Sequence, residues 1–214
     1  MTQSPRDSTP LPIPRPVLVA GVLLLLVGAF LLVLLRTGVA GGAPVFHGTA
    51  YEPPEPAPQF TLVNHTGRSA SLSDYQGRPV LLFFGFVNCP DVCPLTLTRL
   101  DRTLETLGRR AEDVQILLVT VDPERDTPEA LAEYVRGFGA RVDGLTGDPE
   151  TLARIRAEYG AYAEANAGGG DHHPQVVHTS AVFGIDRAGQ LRVLLHADRP
   201  EEQLRDDLRT LLSL

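Results

Sequence analysis

Residues 79–94 read PVLLFFGFVNCPDVCP: nine residues without a charge, and then, after Asn88, two cysteines with three residues between them. A continuous apolar run of this length, with no polar alternation, is the pattern of a strand buried on both faces of a parallel sheet. Leu95, Leu97, Leu100, Leu104 and Leu107 then recur at near-helical spacing up to Gly108, which predicts a helix that stops there. Cys89 and Cys93 therefore sit where a central strand becomes a helix.

Downstream, VQILLVTV at 114–121 reads as a second buried strand and leads into DPERDTPEALAEYVRGFG. There Asp126 or Thr127 can cap a helix that carries Pro128 in its first turn. Thr151 to Tyr159 predicts another helix, and Gly168-Gly-Gly170 with the following DHHP a flexible loop. Val176 to Ile185 and Gln190 to His196 read as strands joined by Asp186-Arg-Ala-Gly189, and Pro200 opens a last amphipathic helix to Leu212. Upstream, residues 60–64 and 68–72 flank His65-Thr-Gly67 as a short hairpin. This order predicts an α/β fold of thioredoxin-like type, a mixed sheet with helices on both faces and the cysteines beyond a strand's C-terminal end.

Before this domain, residues 17–35 run without a charge between Arg15 and Arg36. As a helix they would cover roughly 28 Å, close to the hydrocarbon thickness of a bilayer. That is longer than the apolar region of a secretory signal, so a retained anchor is expected, with the small residues Gly38 to Ala43 leaving cleavage open. Arg6 and Arg15 precede the span and Arg36 follows it, a bias that places the bulk of the chain outside the cytoplasm. The expected layout is a cytoplasmic tail over 1–16, a transmembrane helix over 17–35, a Gly/Pro-rich spacer over 36–58 and a folded domain over 59–214. A single-pass position in a bacterial cytoplasmic membrane, domain outward, accommodates all four.

The 214 residues are 43% hydrophobic and 21% charged, ordinary proportions for a globular chain, and enough remain after the apolar segment for one core. A net charge of -7 argues against a nucleic-acid partner, because phosphate binders depend on clustered cations.

Cys89 and Cys93 are the only cysteines. As a structural disulfide they would close a loop too short to restrict the unfolded chain much, so chemistry is the better reading of their spacing. Their i, i+4 relation lets them bridge or grip one ion, and Pro94 is expected to begin the long helix, with Pro90 to Cys93 as a separate turn. At a helix N-terminus, unsatisfied amides favour thiolate over thiol, which predicts lowered cysteine pKa values and suits both metal ligation and disulfide exchange. Two thiolates match copper in its lower oxidation state, whereas a structural zinc site calls for four protein ligands. His178 lies in an apolar strand, where a histidine is more often a packed side chain, and His172 and His173 in the Gly-rich loop read as solvated.

Three separated motifs, GFVNCPDVCP at 85–94, VDPERDTP at 121–128 and VHTS at 177–180, together resemble the Sco/SenC family of copper proteins. The resemblance covers roughly Phe60 to Leu212 and includes the N-terminal anchor. It implies a thioredoxin-like fold that binds one copper ion, Cu(I) or Cu(II), through Cys89, Cys93 and a distant histidine, His178. It also implies a role in assembling the dinuclear copper centre of cytochrome c oxidase. The partners would be that oxidase's copper-bearing subunit and other copper chaperones or thiol reductants. The chain would act as a copper donor or, alternatively, as a thiol-disulfide oxidoreductase in which Cys89 and Cys93 are the redox pair. The charged residues Asp122, Glu124, Arg125 and Asp126 read either as a partner-facing surface or, better, as helix capping.

Overall fold

The computed structural model describes residues 15–36, 44–161, 163–165, 176–178 and 181–214; the side chains it describes are those of 16, 20–32, 44–161 and 181–214. The chain divides into two compact units, Met1–Pro44 and Val45–Leu214.

In the first unit, Arg15–Arg36 forms α1, a helix of 22 residues. Its described side chains are apolar and exposed, Leu24, Leu25 and Phe30 among them. Among the described residues no helix is long and apolar enough to cross a membrane. The tail over 1–14 lies outside the described residues.

Among the described residues the second unit has ten strands: β1 (Thr49–Pro56), β2 (Thr61–Asn64), β3 (Ser69–Ser71), β4 (Val80–Gly85), β5 (Gln115–Thr120), β6 (Val142–Thr146), β7 (Ala163–Ala165), β8 (Val176–His178), β9 (Ala181–Ile185) and β10 (Gln190–His196). The helices are α2 (Val92–Leu107), α3 (Pro128–Val135), α4 (Pro149–Glu158) and α5 (Glu201–Leu211). Eight strands make one sheet in the order β1-β10-β9-β4-β5-β6-β2-β3, and β7 pairs with β8 apart from it. β4, β5 and β6 run parallel, while β9, β10, β1 and the β2–β3 hairpin add antiparallel edges.

All six residues of β4, and all six of β5, are buried. The reason is that both faces are covered: Leu81, Phe83, Ile116 and Leu118 point into a core shared with Leu97, Leu100 and Leu104 of α2, Leu131 of α3 and Leu204 and Leu208 of α5. Leu82, Phe84, Leu117 and Val119 alternate onto the opposite face, where Leu152 and Ile155 of α4 and the ring of Tyr159 cover them. Phe84, Tyr159 and Phe183 pack edge to face there, with centroids 5.2–6.0 Å apart. Thr127, rather than Asp126, caps α3, accepting from the Ala130 amide, and Asp148 caps α4 by accepting from the Thr151 amide.

Three features depart from the sequence reading. The spacer expected over 36–58 ends early, because Thr49–Pro56 is an edge strand paired with β10. Its prolines are accommodated because the register shifts between Ala50 and Glu55, so Pro53 and Pro54 sit where the ladder asks for no amide. β6 has no counterpart in the expected order, since VDGLT lacks a strong strand signature. Its Gly144 is there for packing, since a Cβ at that position would approach Leu131 Cβ of α3 to 3.0 Å. Finally, the single strand expected over Val176 to Ile185 is two: β8 pairs with β7, and β9 joins the main sheet.

Candidate metal and thiol site

β4 ends at Gly85, and the chain turns through Phe86 to Pro90 before entering α2. The Cys89 amide donates to the Phe86 carbonyl at 3.3 Å, which closes this turn. The helix begins at Val92, two residues before Pro94, correcting the expectation that Pro94 opens it. A proline in the first turn sacrifices only an amide that has no intrahelical acceptor. Asp91 occupies the N-cap position but makes no side-chain cap bond. Instead the Cys93 amide donates to Cys89 Sγ at 3.4 Å. The sulfur of one cysteine thus takes a place that a capping oxygen usually fills, and the spacing of three residues between the cysteines is what delivers it there.

Both cysteines are thiols in the structure; Cys93 is buried and Cys89 half-buried. Burial pushes the Cys93 thiol well above the ordinary range, opposed by a backbone hydrogen bond at Phe86 and reinforced by the neighbouring Cys89 thiol and by Asp126. The lowered pKa expected from the helix terminus is therefore not found at Cys93: removing it from water outweighs the amide dipoles. The seat of this sulfur is Gly85, where a Cβ would come within 2.9 Å of Cys93 Sγ and 2.8 Å of the Phe83 ring.

Asp126, read from the sequence as a cap or a surface charge, is neither: it is fully buried beneath the cysteine turn. Its Oδ2 accepts from the Val87 amide at 3.1 Å and from the Thr120 hydroxyl at 2.5 Å, tying the turn to the end of β5. Burial raises its pKa, against the pull of those two hydrogen bonds. Asp126 Oδ1 and the Tyr134 hydroxyl are buried without a hydrogen-bond partner among the described residues. Burial, and then the charges of Cys93, Cys89 and Asp126, raise the Tyr134 pKa, so the phenol belongs to this environment. No sequence signal marked Tyr134 beyond its place in an amphipathic helix.

His178 ends β8, where its backbone pairs with Ala163, while its side chain and both His172 and His173 lie outside the described residues. β9 runs antiparallel to β4, with Val182 opposite Phe83, so Ala181 stands at the end of β4 from which the cysteine turn departs. Three peptide steps separate His178 from Ala181, which limits their Cα separation to about 11 Å. Among the described residues no three histidine, cysteine or acidic side chains form a group able to hold a metal. Two larger cavities, of about 240 and 270 Å³, are lined by Val80 and by Gln115 respectively, at the strand ends remote from the cysteines.

The family profile described as SCO1/SenC matches residues 49–213. The chain belongs to the SCO1/SenC family. Among characterised relatives, the mitochondrial protein SCO2 homolog of Bos taurus is 38% identical over 152 residues, covering 70% of this chain and 57% of that protein, so the chain spans under three fifths of its length. The solution structure of apo Sco1 from Thermus thermophilus superposes with a TM-score of 0.69 at 36% identity, covering 81% of this chain and all of that one. The structure of Bradyrhizobium japonicum ScoI with copper bound gives a TM-score of 0.65 at 31% identity, covering 72% and 98%. The mixed sheet flanked by helices is the thioredoxin-like Sco fold.

Proposed function

We propose that this SCO1/SenC protein is a membrane-anchored copper carrier that holds one copper ion on Cys89, Cys93 and His178 and supports assembly of the dinuclear copper centre of cytochrome c oxidase. The observation that carries the reading is the turn beyond β4, where the Cys93 amide meets Cys89 Sγ and both sulfurs share one helix terminus. Paired soft donors of this kind suit Cu(I), and a single imidazole completes a three-ligand site that an incoming thiol can enter. The Bradyrhizobium relative has copper bound, which supports copper as the ion carried. Copper is cargo here, not a resident cofactor, so each ligand must be able to leave in turn. The buried Cys93 thiol releases its proton when the metal binds, which makes loading weaker as pH falls.

The anchor in this reading rests on the sequence, on the uncharged stretch at 17–35, which as a helix covers roughly 28 Å. The arginine bias puts the copper domain on the extracytoplasmic side of a bacterial cytoplasmic membrane.

The test is copper counting with absorption spectroscopy on the reduced full chain in detergent, beside His178→Ala. Wild type should hold one copper per chain and His178→Ala should lose it or bind it with a changed spectrum. Wild-type protein that takes up no stoichiometric copper would defeat the reading. If His178→Ala still reduced a partner disulfide at the wild-type rate while neither protein loaded copper, the chain would be a thiol-disulfide oxidoreductase instead.

A further inference from the structure

Val92, between the two cysteines, is 39% exposed, and Leu95, two residues beyond Cys93, is 52% exposed. Large apolar side chains this open are few in the described part of the domain; the others are Val45, Val63 and Leu214, none of them next to the site. Val92 and Leu95 line one cleft of about 150 Å³ between the first turns of α2 and the turn after β10, with Ala197 on its far wall. Arg99 holds the two walls together by donating to the Arg199 carbonyl at 2.7 Å. Asp91 and Asp198 line the same cleft, both are exposed, and neither enters an ion pair among the described residues. Small-molecule sites usually enclose roughly 300–1,000 Å³, so this cleft has room for one large side chain and not for a cofactor.

We infer that the cleft is the docking site for the thiol-bearing loop of the copper-receiving protein, which seats an apolar side chain against Val92 and Leu95 and a basic side chain against Asp91 and Asp198. The inference rests on the copper-carrier reading and deepens it. Ligand exchange requires the acceptor's sulfur at bonding distance from a metal held by Cys89 and Cys93. An acceptor loop that reaches so far must lie over Val92, because that residue, the first of α2, is exposed and stands between the two donors in the chain. Its contact with the cleft is then a matter of continuity. Two carboxylates on the rim select a cationic neighbour and speed the encounter without tightening it much. A contact centred on two apolar side chains makes a weak, short-lived complex, which is what transfer needs, because a tightly held acceptor would not leave.

The experiment loads the reduced full chain with Cu(I) in detergent and follows transfer to the reduced soluble copper domain of cytochrome c oxidase subunit II, and separately to glutathione. Wild type, Leu95→Asp, Leu95→Ala and Asp198→Lys are compared after each has been shown to carry one copper. The three variants should transfer to the protein acceptor more slowly, by roughly tenfold for Leu95→Asp, the size expected when a central apolar contact is lost. Transfer to glutathione, which is too small to span the cleft, should be unchanged. Wild-type rates to the protein acceptor in the Leu95 variants would overturn the docking site, and so would equal slowing toward glutathione, which would mean that Leu95 governs copper release itself. Wild type that fails to load copper would show instead that the underlying function is wrong, before any variant is compared.

Discussion

Gly85 is the smallest residue of the site and constrains it most tightly. It is the last residue of β4, and the methyl group of an alanine there would lie 2.9 Å from Cys93 Sγ, 2.8 Å from the Phe83 ring and 3.0 Å from Leu118 Cδ1. Neither a buried ring edge nor a sulfur on a one-carbon stem has much room to retreat. Gly85→Ala should therefore destabilise the domain by about 1–3 kcal/mol, the usual range for over-packing, and should shift the Cys93 sulfur. Urea denaturation measures the first effect, and a changed copper–thiolate absorption at unchanged stoichiometry measures the second; a variant with wild-type spectrum and stability would show that the sulfur has slack. The glycine was visible in the sequence only as one position of an apolar run. The cysteine pair was legible because its spacing after a buried strand is itself the chemistry. Asp126 was misread because DPERDTP is a good capping sequence, and only the packing shows that Thr127 takes the cap while Asp126 goes beneath the turn.

At the scale of elements, what could be read from the sequence was whatever one stretch decides alone. β4, β5, α2 and the β2–β3 hairpin with Gly67 at positive φ follow local rules of apolar periodicity and turn chemistry. β1 and β6 do not, because each is a strand only by virtue of the neighbour it pairs with. The start of the domain shows the same dependence on distant partners. Asp207, buried on α5, accepts from the His47 amide at 2.5 Å and the Gly48 amide at 2.9 Å, while Arg199 donates to the His47 carbonyl at 3.0 Å. Residues 47–48 are thus fastened to the last helix, some 160 positions away in sequence. Asp207→Ala leaves two amides without their acceptor and should lower stability by about 1–3 kcal/mol. It should also open residues 45–48 to limited proteolysis while leaving copper stoichiometry at the wild-type level, since the two bonds it removes end on the His47 and Gly48 amides and not on the cysteine turn. Resistance to protease equal to wild type would mean that β1 pairing alone holds this segment.

For the molecule as a whole, the phenols and the thiol buried in the two core layers make stability fall on the alkaline side. Burial raises the pKa values of Tyr75, Tyr134 and Tyr159 above their ordinary 10.0, and Tyr75 is raised further by its hydrogen bond to Asp143. The Cys93 thiol is raised from 9.0 by the same cause. Each of these groups keeps its proton longer in the folded chain than in the unfolded one. Over the interval between the two pKa values the folded state therefore binds more protons, and stability falls as pH rises. The contribution is complete at neutral pH, where both states are protonated, and begins to be lost once the unfolded thiol and phenols ionise, from about pH 9 upward. Urea denaturation of the metal-free chain across this range should show a plateau followed by a decline. Tyr159→Phe should flatten that decline, despite losing the hydrogen bond to the Pro58 carbonyl, because it removes a group that must be neutral to stay on the α4 side of the sheet. A stability that stayed flat through the tyrosine range would mean that these phenols are solvated in the native state, and with them the core layer that covers β4 and β5 from that side.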